Sequence, residues 1–465
     1  MKKVLLINSS FSVSERRYSS FGPPLGIISV ASALRESGYR VIFVDPQVEE
    51  NYEEMIRIAL DDELLFVGMS AYMGANLKNC LKLTREVKAM RPDLPVVWGG
   101  PLASSLPEEC FRKADVDFIV MGAGEETIVQ LAAYLADKEP GKVLFNPYIS
   151  FRKDENKYEI GRLYSFNGDI ENLPAIDLRL WEKGIKKMNS IPLITSRGCP
   201  YKCSFCYNTF NEKGKYFLRT AQSIIDEMDS NSVSFSCTNF SFIDDNFLIN
   251  ENRALDVFAH AEKKGYRIQR VYGHLNNFTP KIQEALIKGK IGVTMCIESG
   301  SARIRKILNK HIDTDKAVAL IRNLTSASVP FVTAFLFGIP GEEFDDIRQS
   351  VGLAKIIDGV SDGKAVSMFY LYAPQPKDRI VEEYERQGVK LDFAFENMSD
   401  VEVVPVPPND MINLQIRPWM TGDMAEFYKN LAEVWLYHFG SKKNKGNYSL
   451  ENAYKNHSKI KELFL

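Results

Sequence analysis

Three cysteines lie close together in the middle of the chain. They are Cys199, Cys203 and Cys206. Their spacing is C-x3-C-x2-C, and they follow the apolar run 191–194. Three thiolates on one short loop can hold three corners of a cubane iron–sulfur cluster and leave one iron open for a substrate or cofactor. A structural zinc site would need a fourth ligand nearby, and the nearest candidates, Cys237 and His260, lie more than thirty residues away. The spacing therefore predicts a [4Fe–4S] cluster.

The other four of the seven cysteines are scattered singly, which is typical of small buried apolar residues. So few cysteines cannot form a disulfide scaffold and favour a reducing compartment. The N-terminus has too few apolar residues before Asn8 for a signal peptide. The uncharged stretch 323–341 is interrupted by Pro330 and Gly338, so it does not read as a membrane span. We therefore expect a cytoplasmic protein without a membrane span.

The overall charge does not favour a nucleic-acid partner. The 465 residues carry 58 Lys and Arg against 60 Asp and Glu, a net charge of −2. A protein that binds nucleic acid through its phosphates needs a basic surface. With 45% hydrophobic and 25% charged residues, the composition is that of an ordinary folded protein. We therefore expect a folded chain with no nucleic-acid partner.

The first third of the chain alternates strand and helix patterns. The short apolar runs typical of buried parallel strands are 3–8, 41–45, 65–70, 95–100 and 117–122. The segments with helical spacing are 25–37, 52–60, 77–90 and 125–136. This alternation predicts a doubly wound, Rossmann-like α/β domain. No G-x-G-x-x-G follows the first strand, which argues against a nicotinamide dinucleotide.

In such a sheet, ligands bind at the carboxyl ends of the strands. Small and polar residues stand there: Asn8-Ser9-Ser10, Ser70-Ala71-Tyr72, Gly99-Gly100-Pro101 and Gly122-Ala123-Gly124-Glu125. Small residues let a ligand approach the backbone, and amides at a helix N-terminus can hold a phosphate. The alternative, that these glycines only make tight turns between strand and helix, stays open from the residues alone.

A second run of alternating elements follows the cysteines. Strand-like runs lie near 191–195, 239–243, 269–274, 292–298, 332–337 and 366–372. Helical segments lie at 220–229, 252–264, 279–288, 313–326 and 344–356. Six such units predict a partial (β/α)6 barrel with its site at the carboxyl ends of the strands. His274 ends the third run and could either face that site or pack structurally.

The cysteine spacing, the aromatic Tyr207 after the last cysteine and the preceding strand resemble the radical S-adenosylmethionine superfamily. Further matches are Asp244-Asp245 after the second strand, Ile297-Glu298-Ser299 with Arg303 after the fourth, and Phe337-Gly338-Ile339 after the fifth. The resemblance implies that the open iron binds S-adenosylmethionine and that the reduced cluster cleaves it to a 5′-deoxyadenosyl radical. The residues assigned in this way to S-adenosylmethionine are Tyr207, Asp244, Asp245, Glu298, Ser299, Arg303, Gly338 and Ile339.

An α/β domain ahead of such a core resembles the cobalamin-dependent (class B) subfamily, and the stretches 21–26 and 122–125 are similar to segments of its members. The residues that the resemblance assigns to cobalamin are Ser9, Pro24, Leu25, Ser70, Ala71, Tyr72, Gly99, Gly100, Gly122, Ala123, Gly124 and Glu125. All five histidines follow residue 259, so we expect base-off cobalamin without a histidine from its own domain. Leu102 stands where relatives often carry histidine, and some members with this domain bind no cobalamin.

These patterns divide the chain into a cobalamin-binding-like domain at 1–140, a connector at 141–190, the barrel at 191–375 and a cap at 376–465 that closes the barrel mouth. The resemblance implies a C-methyltransferase that acts on an unactivated carbon through the 5′-deoxyadenosyl radical and methylcobalamin. The alternatives are a radical reaction without methylation, such as ring formation or contraction, dehydration or C–C coupling, and a cobalamin- or cluster-binding sensor. We expect a small-molecule, lipid or natural-product-intermediate substrate and an external electron donor such as flavodoxin or ferredoxin.

Overall fold

The computed structural model describes two compact units, and each is presented separately. The described residues are 2–10, 22–137, 146–154, 157–211, 214–399, 401, 412–441, 450, 454 and 457–464. The first unit comprises Met1–Lys187 and Asp392–Val401, and the second comprises Met188–Leu391 and Glu402–Leu465.

The first unit is built on a seven-stranded sheet of order β2-β1-β3-β4-β5-β6-β7. Its strands are β1 (Lys3–Ile7), β2 (Arg40–Val44), β3 (Leu64–Ser70), β4 (Val96–Gly99), β5 (Phe118–Val120), β6 (Ile149–Asp154) and β7 (Lys157–Glu159). Strands β1 to β5 are parallel, and β6 and β7 are antiparallel to their neighbours. Its helices are α1 (Leu25–Glu36), α2 (Tyr52–Ala59), α3 (Ala75–Met90), α4 (Gly100–Ser105), α5 (Pro107–Lys113), α6 (Glu125–Ala136) and α16 (Phe395–Met398), with α7 (Glu182–Met188) at its end.

Both faces of this sheet are buried, as the continuous apolar strand runs require. Leu5 and Ile7 of β1 belong to one apolar cluster, whereas Val4 and Leu6 belong to another. Alternate residues of a strand point to opposite faces, so each cluster lies on its own side of the sheet. The predicted doubly wound α/β domain is confirmed.

Two segments differ from the sequence-based division. Residues 149–159, expected within a connector, extend the first sheet by two antiparallel strands. Residues 392–401, expected within the C-terminal cap, belong to the first unit, where Phe395 stacks on Trp98 and Met398 O accepts from Gly74 N–H at 2.8 Å. Residues 392–401 join the first unit because Phe395 and Met398 are buried against residues far away in the sequence. Such contacts leave no local pattern in the sequence, so they could not be predicted.

The second unit contains six parallel strands in the order β15-β14-β13-β12-β11-β8 and the separate antiparallel pair β9-β10. Its strands are β8 (Ile191–Leu193), β9 (Ser196–Gly198), β10 (Tyr216–Leu218), β11 (Asn239–Phe242), β12 (Arg267–Tyr272), β13 (Gly292–Thr294), β14 (Phe331–Phe337) and β15 (Ala365–Leu371). Its helices are α8 (Tyr207–Asn211), α9 (Ala221–Phe235), α10 (Glu251–Lys264), α11 (Pro280–Gly289), α12 (Ala302–Ile307), α13 (Thr314–Ser326), α14 (Phe344–Ser361), α15 (Arg379–Arg386), α17 (Gly422–Phe439) and α18 (Ser458–Phe464). The predicted partial (β/α)6 barrel is confirmed.

The C-terminal helix α17 packs on the last two barrel strands. Its Trp435 makes edge contacts with Phe335 and Phe337, with ring centroids 4.8 and 5.1 Å apart. The Trp435 indole N–H donates to Ser367 O at 2.9 Å. This helix covers an apolar part of the sheet, and closure of the barrel mouth by residues 376–465 stays a prediction. Among the described residues, no helix is both long and apolar enough to cross a membrane.

Candidate active site

The three-cysteine loop follows β9, which ends at Gly198. The φ angle of Gly198 is 77°, a conformation that favours glycine because it has no side chain. The loop, residues 199–206, is anchored by a hydrogen bond from Ser204 N–H to Leu308 O at 2.9 Å. Contacts of the protein itself therefore hold the loop in place.

Burial raises the pKa of all three thiols, and that of Cys206 reaches about 12. Without a ligand the thiols are therefore protonated at neutral pH. Cys199 and Cys203 are close enough to Cys206 to raise its pKa further. Thiolates are the usual protein ligands of iron–sulfur clusters, and binding would release the protons. The donor set thus fits a [4Fe–4S] cluster, although no three His, Cys, Asp or Glu side chains of the described part of the chain are arranged to hold a single metal ion.

A buried ion pair lies beside this loop. Glu298 follows β13, has a φ of 71°, and bridges to β14 through Leu336 N–H, which donates to Glu298 O at 2.7 Å. Its carboxylate lies 3.5 Å from Lys310 Nζ, and the two side chains are 9% and 10% exposed. Burial opposes the lysine charge, but Glu298 and the nearby thiols outweigh it and raise the pKa of Lys310 to about 12. Cys203 is one of those thiols, so a fixed positive charge stands next to the cysteine loop.

The two aspartates after β11 have different environments. Asp244 is buried, and its carboxylate accepts bonds from Thr195 N–H at 2.9 Å and from the Ser196 hydroxyl. These contacts tie the end of β11 to the segment that leads into β9. Asp245 is exposed and lies close enough to Cys199 and Cys206 to influence both thiols. Asp245 is therefore the better placed of the two to contact a ligand at the cysteine loop.

Ser299 and Arg303, also predicted as ligand contacts, bind other parts of the protein. The Ser299 hydroxyl is fully buried and lies 3.2 Å from that of Ser350 in α14. Arg303 forms an ion pair with Asp346 and donates to Gly341 O at 2.8 Å. Both residues thus connect the segment around α12 to α14, and their contact with S-adenosylmethionine stays a prediction.

The predicted residues Gly338 and Ile339 open a tight turn after β14. Gly338 has a φ of 72°, and its N–H donates to Glu342 Oε2 at 2.7 Å. Glu342 N–H donates back to Ile339 O at 2.9 Å. We call residues 338–342 the β14 turn. Its Ile339 belongs to a buried apolar cluster, and Phe205 of the cysteine loop packs against the same cluster.

His274 stacks on the cysteine loop. Its ring lies 3.7 Å from that of Tyr201, centroid to centroid, at an angle of 18°. Burial lowers the pKa of His274 to about 3, and its Nδ1 accepts from Asn276 N–H at 3.4 Å. The histidine is therefore neutral and supports Tyr201, which was one of the two roles that the sequence left open. Tyr207 is the first residue of α8, directly after Cys206.

In the first unit, the ends of β1 and β3 meet at the point where the strand order reverses. There the Ser9 hydroxyl donates to Ser70 O at 3.0 Å and accepts from Asn76 Nδ2 at 2.9 Å. Ser9 is 1% exposed, so its hydroxyl is used inside the protein. Tyr72, in contrast, is 43% exposed at the same edge. Asn76 was not predicted, because an Asn near a helix start is common and carries no specific signal.

The glycines at the other strand ends allow close backbone contacts. Gly100 has a φ of 87°, and a Cβ there would lie 2.5 Å from Ser70 Oγ. Gly122 has a φ of 89°, and a Cβ would lie 2.1 Å from Tyr164 O. Both positions exclude a larger residue. With the partly exposed Gly99 and Ala123, they leave an edge of small residues where a ligand can approach the backbone, as the predicted cobalamin site requires.

The remaining predicted residues of this edge surround the start of two helices. Leu25 is buried in α1, next to the partly exposed Pro24. Gly124 precedes α6, and Glu125 is buried and accepts from the Ser29 hydroxyl at 2.8 Å. The bond from Ser29 to Glu125 therefore stabilises the contact between α1 and α6. Phe21 and residues 11–20 lie outside the described part of the chain.

The structure thus brings Cys199, Cys203 and Cys206 together with Asp245 and Glu298 at one end of the barrel, and gathers the predicted strand ends of the first unit along one edge. Lys310 was missed, because a single lysine after a helix resembles many solvated lysines. Its one signal is its position, soon after Glu298 and before the next helix.

Two family models match the chain in consecutive order. The model of the B12 binding domain matches residues 16–132, and that of the radical SAM superfamily matches residues 193–354. An uncharacterized methyltransferase of Pyrococcus horikoshii is 25% identical over 412 residues, which cover 87% of this chain and 87% of the relative.

Solved structures show the same fold. The radical S-adenosylmethionine methyltransferase TsrM of Kitasatospora setae, with tryptophan substrate and a SAM analogue bound, matches with a TM-score of 0.65 and 17% identity over 83% of this chain and 76% of TsrM. The cobalamin-dependent S-adenosylmethionine radical enzyme OxsB with aqua-cobalamin bound matches with a TM-score of 0.69 and 16% identity over 100% of this chain and 72% of OxsB.

Proposed function

The chain belongs to the radical S-adenosylmethionine enzymes that carry a B12-binding domain, and we propose that it is a C-methyltransferase acting on an unactivated carbon of a small molecule. Its cofactors are a [4Fe–4S] cluster, S-adenosylmethionine and cobalamin. The observation that carries the proposal is the partly buried three-cysteine loop next to the Glu298–Lys310 pair, in a chain that also has a B12-binding domain. The similarity to methyltransferases supports methyl transfer as the outcome.

Different residues of the barrel unit bind the cluster and different groups of the ligand. Cys199, Cys203 and Cys206 hold the cluster, and Lys310 offsets the negative charge of their thiolates and of bound ligand carboxylates. Glu298 accepts hydrogen bonds from ligand hydroxyls, and Asp245 from a ligand amine. When bound, the cofactors supply hydrogen-atom removal from carbon and a transferable methyl group.

A substrate-free experiment tests this proposal. The anaerobically reconstituted protein is loaded with hydroxocobalamin, reduced, and given trideuteromethyl S-adenosylmethionine. A methyltransferase of this kind should release 5′-deoxyadenosine from radical chemistry and S-adenosylhomocysteine from methyl transfer, with the label recovered in the cobalamin fraction.

The same experiment separates the alternatives. A radical enzyme that does not methylate should release 5′-deoxyadenosine without S-adenosylhomocysteine. The similarity to OxsB, a cobalamin-dependent S-adenosylmethionine radical enzyme, supports this second candidate. A sensor should release neither product. Either result would refute the methyltransferase proposal.

We also propose a cytoplasmic location and an external one-electron donor such as flavodoxin or ferredoxin. All seven cysteines are unpaired in the structure, which agrees with a reducing compartment. The substrate class, small molecule, lipid or natural-product intermediate, is proposed on the same basis as the activity. TsrM, with its tryptophan substrate, favours a small molecule.

A further inference from the structure

Residues 419–428, which lead into and begin helix α17, contact the β14 turn through two side chains. We call these residues the C-terminal segment. The Trp419 indole N–H donates to Gly338 O at 3.0 Å. The Tyr428 hydroxyl donates to Glu342 Oε2 at 2.7 Å. The turn therefore receives one hydrogen bond at its first residue and one at its last, both from residues some eighty positions away.

The bond from Tyr428 to Glu342 is important because of the surroundings of the Glu342 carboxyl group. Its carboxyl group is 8% exposed, and Oε2 also accepts from Gly338 N–H at 2.7 Å. Its other oxygen, Oε1, is buried without a hydrogen-bond partner. The carboxyl group therefore closes the turn, and among the described residues Tyr428 is its hydrogen-bond partner from outside the turn.

Packing supports the same connection. Trp419 and Phe205 of the cysteine loop both pack against the buried apolar cluster that contains Ile339 of the turn. The Trp419 ring lies 5.9 Å from that of Tyr372, which belongs to the same cluster. The Cβ of any residue replacing Gly338 would lie 3.0 Å from Met420 Cε, so the segment also approaches the turn closely.

We propose that Trp419 and Tyr428 are positioning residues that hold the β14 turn in the shape that binds S-adenosylmethionine. The C-terminal segment thereby controls the affinity for this ligand, in addition to completing the fold. The inference rests on the proposed function, because it takes the turn to be part of the S-adenosylmethionine site.

Two pairs of variants test the inference. Trp419→Phe and Tyr428→Phe each remove one hydrogen bond to the turn. Trp435→Phe is the control for the first, because its indole donates to Ser367 O at 2.9 Å and not to the turn. Tyr266→Phe is the control for the second, because its hydroxyl donates at 2.9 Å to Asp229 of α9 and not to the turn.

The readouts are the KM for S-adenosylmethionine and the kcat for reductant-driven 5′-deoxyadenosine release by the reconstituted holoenzyme, with cluster absorbance and thermal midpoint as folding controls. Loss of one hydrogen bond should raise the KM of each turn variant roughly threefold to tenfold with little change in kcat. The control variants should keep the wild-type KM, whatever their thermal midpoints.

Equal KM values in turn and control variants would overturn the inference, as would a fall in kcat without a change in KM. The double variant Trp419→Phe/Tyr428→Phe adds a second criterion. Since both bonds hold one turn, its KM increase should be smaller than the product of the single increases. A wild-type enzyme that neither binds nor cleaves S-adenosylmethionine would refute the proposed function itself, whereas a normal wild type with unchanged variants refutes this inference alone.

Discussion

Cys203 is the most buried of the three clustered thiols, with 9% exposure, and it is the one that contributes to the high pKa of Lys310. Replacing it with alanine removes one of three cluster ligands. We expect Cys203→Ala to lose the visible iron–sulfur absorption and the bound iron after anaerobic reconstitution. Cys237→Ala, which changes a partly exposed thiol outside the loop, should keep both. A full iron content in Cys203→Ala would contradict the assignment.

Glu342 should make stability depend on pH. Burial raises the pKa of its carboxyl group to about 8, whereas an unfolded glutamate titrates near 4.3. Between these values the folded protein holds a proton that the unfolded chain releases, so stability falls as pH rises through this window. Glu342→Gln imitates the protonated acid and cannot titrate. Relative to wild type, it should therefore gain about 1 kcal/mol in unfolding free energy per pH unit between roughly pH 5 and 8.

Chemical denaturation of the cluster-free proteins at several pH values measures this difference. Asp378 also has a pKa raised by burial, to about 6, but it is present in both proteins and cancels in the comparison. Parallel pH profiles for wild type and Glu342→Gln would show that the carboxyl group ionises normally in the folded protein.

At the scale of elements, the strand and helix pattern was predictable because it is local. Each parallel strand carries its own apolar run, and several helices carry their own start signals. Thr279 caps α11 by accepting from Ile282 N–H, and Pro280 occupies the first helical turn. The sequence also places Asp244 and Asp245 together after β11. It could not tell which of them faces the cysteine loop, because that depends on Thr195 and Ser196, which lie almost fifty residues earlier in the chain.

The Glu298–Lys310 pair joins the segment after β13 to the segment after α12. It could not be predicted from the sequence, because the pairing depends on how separate segments pack. Lys310→Met leaves the buried Glu298 without its counter-charge, which should cost about 3–5 kcal/mol of unfolding free energy. Lys310→Met/Glu298→Gln removes both charges and should recover much of that loss. Denaturant titration of the cluster-free proteins checks both values. Additive losses in the double variant would show that the two groups do not interact.

At the scale of the whole molecule, the chain joins a histidine-free unit to a barrel unit that contains all five histidines. The first unit has the small-residue edge expected for cobalamin, but its own residues 1–187 and 392–401 offer no imidazole to the metal.

The last prediction follows from the absence of histidine in the first unit. We expect the full chain to bind hydroxocobalamin with its nucleotide base displaced and without a nitrogen ligand from the protein. Electron paramagnetic resonance of the Co(II) form should then lack nitrogen superhyperfine splitting, because that splitting requires a nitrogen on the cobalt axis. Splitting that disappears when the bound cofactor is cobinamide, which has no base, would show that the base stays attached. Splitting that persists with cobinamide would mean that a nitrogen of the protein reaches the metal, against the expectation from the histidine positions.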